Sequence, residues 1–107
     1  MDIIENGEAI ASYIAGLDEE VFAKDRKTRD AVERCLQRIT EAAMKLDELA
    51  AELIPGYPWK KFRGLGNRLR HDYDAIEITP IWHIASLQLP PLVKDCREAL
   101  AKLERQE

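Results

Sequence analysis

The chain has 107 residues, 46% hydrophobic and 34% charged, with a net charge of −4, enough for one domain spanning 1–107 and too few for two independent cores. The composition excludes a disordered chain. The longest uncharged stretch, Ile78 to Val93, is interrupted by His83, Gln88 and three prolines and so does not read as a bilayer span. Acids in Met1-Asp2-Ile3-Ile4-Glu5 stand where a signal peptide carries lysine or arginine, so the expected setting is cytoplasmic, without membrane contact.

Taken in chain order, every element reads as helical. Ile3, Gly7, Ile10, Ile14 and Leu17 recur at three- and four-residue steps and define one apolar stripe. Gly16 ends that helix, and Asp18 is the N-cap of a short turn through Phe22. The longest helix is predicted over 25–53, with Val32, Ile39, Leu46 and Leu53 seven apart, a 3.5-residue seam suited to packing along a neighbour. It breaks at Pro55-Gly56. Pro58 opens the next helix, predicted over 58–72. Thr79-Pro80 starts the last one, which runs to about Arg105 and is expected to bend where Pro90 and Pro91 remove two amide donors. No segment alternates with period two, so the expected architecture is an all-α antiparallel bundle of four to five helices. Cys35 and Cys96 fall at apolar-periodic positions and read as buried, reduced thiols. No Cys or His pair has the spacing of a metal site, and none is expected.

Chemistry concentrates in Trp59-Lys60-Lys61-Phe62-Arg63-Gly64-Leu65-Gly66-Asn67-Arg68-Leu69-Arg70-His71-Asp72-Tyr73. No Asp or Glu occurs from Leu53 through His71, while Lys60, Lys61, Arg63, Arg68 and Arg70 contribute +5, leaving 11 basic and 20 acidic residues elsewhere. A positive field confined to one part of an acidic body fits a confined anionic ligand better than a long duplex track. On a helical wheel Arg63, Asn67, His71 and Arg68 fall within about 140° of one another, and Trp59, Phe62, Leu65 and Leu69 occupy the opposite arc. One face is core; the other gathers an imidazole, a carboxamide and guanidinium groups. Gly64 and Gly66 each cost roughly 1 kcal/mol in a helix interior, which points to close approach of a ligand or another backbone, or to an irregular helix. An imidazole titrating near neutral pH can take a proton from an RNA 2′-hydroxyl or give one to a leaving oxygen. Guanidinium groups can clamp the phosphate and stabilise its developing charge.

This segment, followed by Thr79-Pro80-Ile81-Trp82-His83-Ile84 and Leu89-Pro90-Pro91-Leu92, resembles the second half of a HepT-like HEPN ribonuclease. Val21-Phe22-Ala23, Arg26-Lys27-Thr28, Ala31-Val32 and Thr40-Glu41-Ala42 resemble its first half. The resemblance implies a dimeric helical bundle with a composite active site between subunits. It also implies metal-independent RNA cleavage without a cofactor, and pairing with a nucleotidyltransferase antitoxin that silences the toxin by adenylylating a tyrosine. The family motif is an arginine, four to six residues, a histidine, and a tyrosine two positions later. His71 matches the histidine and Tyr73 the tyrosine, whereas the common arginine position falls on Gly66. The expected catalytic set is therefore His71 with Arg68 or Arg63 and Asn67, with Tyr73 as the adenylylation site and Lys60, Lys61 and Arg70 on RNA phosphate.

The same residues admit plainer readings. Arg68 can pair with Asp72 at i,i+4, Arg63, Lys60 and Lys61 can form a solvated face, and His83 reads as an exposed first-turn residue. Tyr73 joins the site only if the helix ends near Asp72 or the tyrosine serves the opposite subunit. Gly66 at the arginine position motivates an alternative function, a non-catalytic scaffold that keeps the fold and the nucleotidyltransferase partner. A DNA-binding helix-turn-helix is disfavoured by the acidic remainder and by the Pro55–Pro58 break.

Overall fold

Short-range chemistry sets the helix ends. The computed structural model describes residues 2–46, 48–71 and 78–105, with the backbone alone for Asp2, Arg70 and His71. Helix α1 spans Asp2–Ile14 and stops at Gly16, whose φ of +79° is the left-handed conformation glycine adopts without a Cβ penalty. Helix α2, Glu19–Lys24, is capped as expected by Asp18, whose carboxylate accepts from the Val21 amide at 2.8 Å. Asp25 does the same for α3, Arg26–Leu46, accepting from the Thr28 amide at 3.1 Å and from its hydroxyl at 2.7 Å.

Beyond α3 the long element continues as α4, Glu48–Leu53. The buried set of α3, α4 and the residue after them is Val32, Cys35, Leu36, Ile39, Thr40, Ala43, Ala50 and Ile54. Through Ala43 they hold the 3.5-residue seam expected from the sequence, and beyond it they follow the 3.6-residue period of a straight helix. Over several turns the two patterns drift apart, so Leu46 and Leu53 end at the edge of the core and Leu49 is exposed.

Helix α5, Trp59–His71, follows a turn through Gly56, at φ +88°. Pro58 stands just before the helix, its carbonyl accepting from the Phe62 amide at 3.1 Å. The Trp59 indole N–H donates to the Ile54 carbonyl at 3.0 Å, tying the start of α5 to the end of α4. Tyr57, Trp59 and Phe62 pack as an aromatic cluster with ring centroids 4.9 to 6.4 Å apart.

The C-terminal element is α6, Ile78–His83, a π-helical turn over Ile84–Gln88, and α7, Leu89–Arg105. A π-turn lies just ahead of Pro90 and Pro91, where the sequence predicts a bend, with the Leu89 amide reaching back to the Ile84 carbonyl. Both prolines then stand in the first turn of α7, where a helix needs no amide donor. The Ser86 hydroxyl donates to the Trp82 carbonyl at 2.6 Å inside this wider turn.

Contacts fix the helix directions. Ile3 lines one small cavity together with Ala50, Ile54, Trp59 and Cys96, Gly7 lies against Val93, and Glu8 pairs with Arg97. Helix α7 therefore runs antiparallel to α1. Trp59 sits level with Ile54 and Gly66 with Thr40, so α5 runs antiparallel to α3 and α4. Phe22 is fully buried and its ring stacks at 5.1 Å from Trp82, which closes the far end. The result is the all-α antiparallel bundle expected. Among the described residues no helix is long and apolar enough to cross a membrane.

Candidate functional site

Helix α5 is held by one face. Trp59, Phe62, Leu65, Gly66 and Leu69 are buried against the bundle, while Lys60, Lys61, Gly64, Asn67 and Arg68 are exposed and Arg63 is half-buried. The division follows the wheel read from the sequence. Among the described residues Lys60, Lys61 and Arg68, all exposed, take part in no ion pair.

The two glycines of α5 have opposite explanations. Gly66 is buried, and a Cβ there would lie 2.7 Å from the Thr40 Cβ and 2.8 Å from its hydroxyl oxygen. Thr40 is fully buried and its hydroxyl donates to the Gln37 carbonyl at 2.8 Å. Gly66 is therefore the point at which α5 and α3 touch backbone to side chain. The position where the family motif places its arginine at four-residue spacing is, in this chain, part of the core. Gly64 is exposed, and nothing lies within 4 Å of the place its Cβ would take. It coincides with the six-residue spacing from His71.

The backbone of α5 also separates the two candidate arginines. Arg68 precedes His71 by three residues, about 4.5 Å along the axis, whereas Arg63 precedes it by eight, about 12 Å. One phosphate can bridge residues a single turn apart; Arg63 is two turns away and suits a neighbouring phosphate. Asn67 lies one i,i+4 step from each of Arg63 and His71, with Arg63, Asn67 and His71 on a common stripe. The side chains of His71 and Arg70, and the whole of Tyr73 and Asp72, lie outside the described residues. The helix carrying His71 is described to that residue, its last.

Among the described residues no three His, Cys, Asp or Glu side chains come together in a way that could hold a metal ion. Cys35 and Cys96 are buried free thiols. Burial raises both, Cys96 to about 11, as expected of inert core thiols.

Spacing along the chain did not reveal one feature. Lys61 on α5 faces His83 at the end of α6 and Gln88 at the end of the π-turn across an open cleft. His83 is exposed, as expected, yet it belongs to this cleft. The only hint in the sequence was the long uncharged run from Ile78 set next to the basic helix.

The model of the family described as Ribonuclease HepT-like matches residues 3–99. A Methanocaldococcus jannaschii protein provisionally named an RNase is 33% identical over 106 residues, covering 99% of this chain and 88% of the relative. A Caldanaerobacter subterraneus protein, also provisionally named an RNase, is 30% identical over 100 residues, 94% of this chain and 89% of its own length. A Thermococcus cleftensis protein provisionally named ribonuclease HepT is 30% identical over 91 residues, 85% of this chain and 83% of the relative. No solved structure matches the chain significantly.

Proposed function

This chain belongs to the HepT-like ribonuclease family, and from that premise we propose that it is a metal-independent RNA endonuclease, the toxin of a pair whose antitoxin is a nucleotidyltransferase. The observation that carries the reading is the acid-free exposed face of α5, with Asn67 and Arg68 each within one turn of His71.

In the proposed reaction a His71 imidazole takes the proton of a 2′-hydroxyl. The 2′-oxygen bonds to the adjacent phosphorus as the bond to the 5′-oxygen breaks, leaving a cyclic phosphate on one fragment. A second His71 imidazole, across a homodimer, returns a proton to the departing oxygen, which becomes a 5′-hydroxyl. Arg68 neutralises the charge growing on the phosphoryl oxygens, Asn67 orients the imidazole, and Arg63, Lys60, Lys61 and Arg70 hold the flanking phosphates. Tyr73 is the residue the antitoxin adenylylates. Nothing in these steps requires a bound metal, because the nucleophile is internal to the substrate.

A second reading has one observation in its favour. Thr40 occupies the space an arginine at position 66 would need, so a chain that has lost cleavage but kept the bundle and its partner is a coherent alternative. RNA cleavage by the purified protein in excess chelator separates the two. The nuclease reading expects cyclic phosphate ends, a loss of about a hundredfold or more in His71→Ala and a smaller loss in Arg68→Ala. A folded wild-type protein that leaves RNA intact supports the scaffold. Mass spectrometry after co-expression with the nucleotidyltransferase reads Tyr73 directly, and an unmodified tyrosine removes it from the mechanism.

A further inference from the structure

Between the first turns of α5 and the segment formed by α6 and the π-turn lies an open cleft of about 480 Å³, within the size range of small-ligand sites. Its walls are apolar, supplied by Pro58, Leu65, Pro80 and Ile84. Tyr57 and Thr79 also line it, and its long polar side chains come from three separate places: Lys61 on α5, His83 at the end of α6 and Gln88 in the π-turn. All three are exposed, and among the described residues none of them makes a hydrogen bond or ion pair. Among the described residues no carboxylate lines this cleft.

That combination selects a ligand with a flat, largely apolar body and a negative charge. The cleft is also in line with the proposed site. Lys61 and Arg68 are seven residues apart on one helix, about 20° apart in azimuth and about 10.5 Å apart along the axis. A single strand lying along α5 with one phosphate at Arg68 and His71 therefore runs past Lys61 within a nucleotide or two.

We infer that this cleft is a nucleotide subsite for single-stranded RNA, taking a residue that flanks the cleaved bond. Its phosphate lies against Lys61 and His83, its unpaired base rests on the apolar wall, and the Gln88 amide meets the edge of that base. Unpaired bases are what proteins read in RNA, by apolar contact and edge hydrogen bonds, and a cleft of this volume has room for a splayed base but not for a duplex. The inference rests on the ribonuclease reading above.

The test is RNA binding by the full-length chain carrying His71→Ala, so that the oligonucleotide stays intact, using fluorescence anisotropy with short single-stranded RNA. Gln88→Glu places a carboxylate in the cleft and is expected to weaken binding about tenfold. The pair Lys61→Ala and His83→Ala is expected to weaken it similarly and to lower the slope of log affinity against log salt by about 1. All three positions are exposed; should Gln88→Glu fail to fold, the alanine pair reads the same loss. An oligonucleotide lacking one base at the flanking position should bind the Gln88 protein more weakly than the intact strand does, and the difference should be smaller, though not absent, in Gln88→Ala. If the wild-type chain cleaves RNA while these variants bind it unchanged, the subsite is overturned and the nuclease stands. If the variants instead break a dimer in sedimentation without altering RNA affinity, the cleft is a subunit contact and the inference is wrong. If the wild-type chain neither binds nor cleaves RNA, both readings fall together.

Discussion

Replacing Gly66 with alanine adds one methyl group where α5 meets α3. The new Cβ would sit 2.7 Å from the Thr40 Cβ, against an ordinary carbon–carbon contact of about 3.5–4.0 Å. Thr40 cannot simply turn away, because it is fully buried and its hydroxyl is held by the Gln37 carbonyl at 2.8 Å. The two helices must therefore part, and overpacking of this kind costs about 1–3 kcal/mol. Alanine returns about 1 kcal/mol through helix propensity, so the expected net loss is about 1 kcal/mol and at most about 2. Gly64→Ala, two residues away in the same helix, meets nothing within 4 Å and should gain about 1 kcal/mol. Urea or thermal melts followed by circular dichroism, at one protein concentration because association shifts stability, should place the two variants on opposite sides of wild type. The expected separation is roughly 2 kcal/mol, or on the order of 10 °C in Tm. Combining Gly66→Ala with Thr40→Gly should recover more stability than the single effects predict by addition. A Gly66→Ala protein at least as stable as wild type would refute the close-contact account. The same geometry extends to the motif. Gly66→Arg should not fold, whereas Gly64→Arg should fold and, with an arginine now at six-residue spacing from His71, cleave RNA faster than wild type.

Two further predictions concern pH. Burial pushes the Tyr57 phenol up to about 12, so the folded state holds its proton where the unfolded chain has lost it; the resulting stability is complete below about pH 10 and declines as pH rises toward 12. Among the described residues its buried hydroxyl has no hydrogen-bond partner, so Tyr57→Phe should raise stability at neutral pH by about 1 kcal/mol and flatten the alkaline limb of a melting profile; a less stable phenylalanine variant would show that the hydroxyl is satisfied. Asp25 carries the opposite sign. The Thr28 hydroxyl and amide hold its carboxylate below the usual range, so its contribution is present above the ordinary aspartate pKa and lost as pH falls through the depressed one. Asp25→Asn should lower stability at neutral pH and make the acid limb shallower, and an unchanged acid limb would count against the cap.

Much of the fold was legible because it rests on chemistry between near neighbours. Asp18 caps a helix through the residue three positions on, and Gly16 stops one through its own backbone freedom. The exposed face of α5 followed from a periodicity visible in thirteen residues. The heptad reading of the long helix held at Val32 and Ile39, both fully buried, and weakened at Leu46 and Leu53, which are only partly buried against the core. Over a few turns a 3.5- and a 3.6-residue repeat select nearly the same side chains, and only the packed neighbours decide between Leu49 exposed and Ala50 buried.

From the sequence alone came the helical bundle, its caps and core stripe, and a basic segment without acids that carries Arg63, Asn67, Arg68 and His71 along one helix. Each depends on spacing that a single helix translates directly into direction. Tertiary structure alone decided that Gly66 is a contact with Thr40, that Gly64 faces open space, and that Lys61, His83 and Gln88 share a cleft. Those relations join residues on different helices, far apart along the chain, and no periodicity within one element encodes which side chain another element will bring against it.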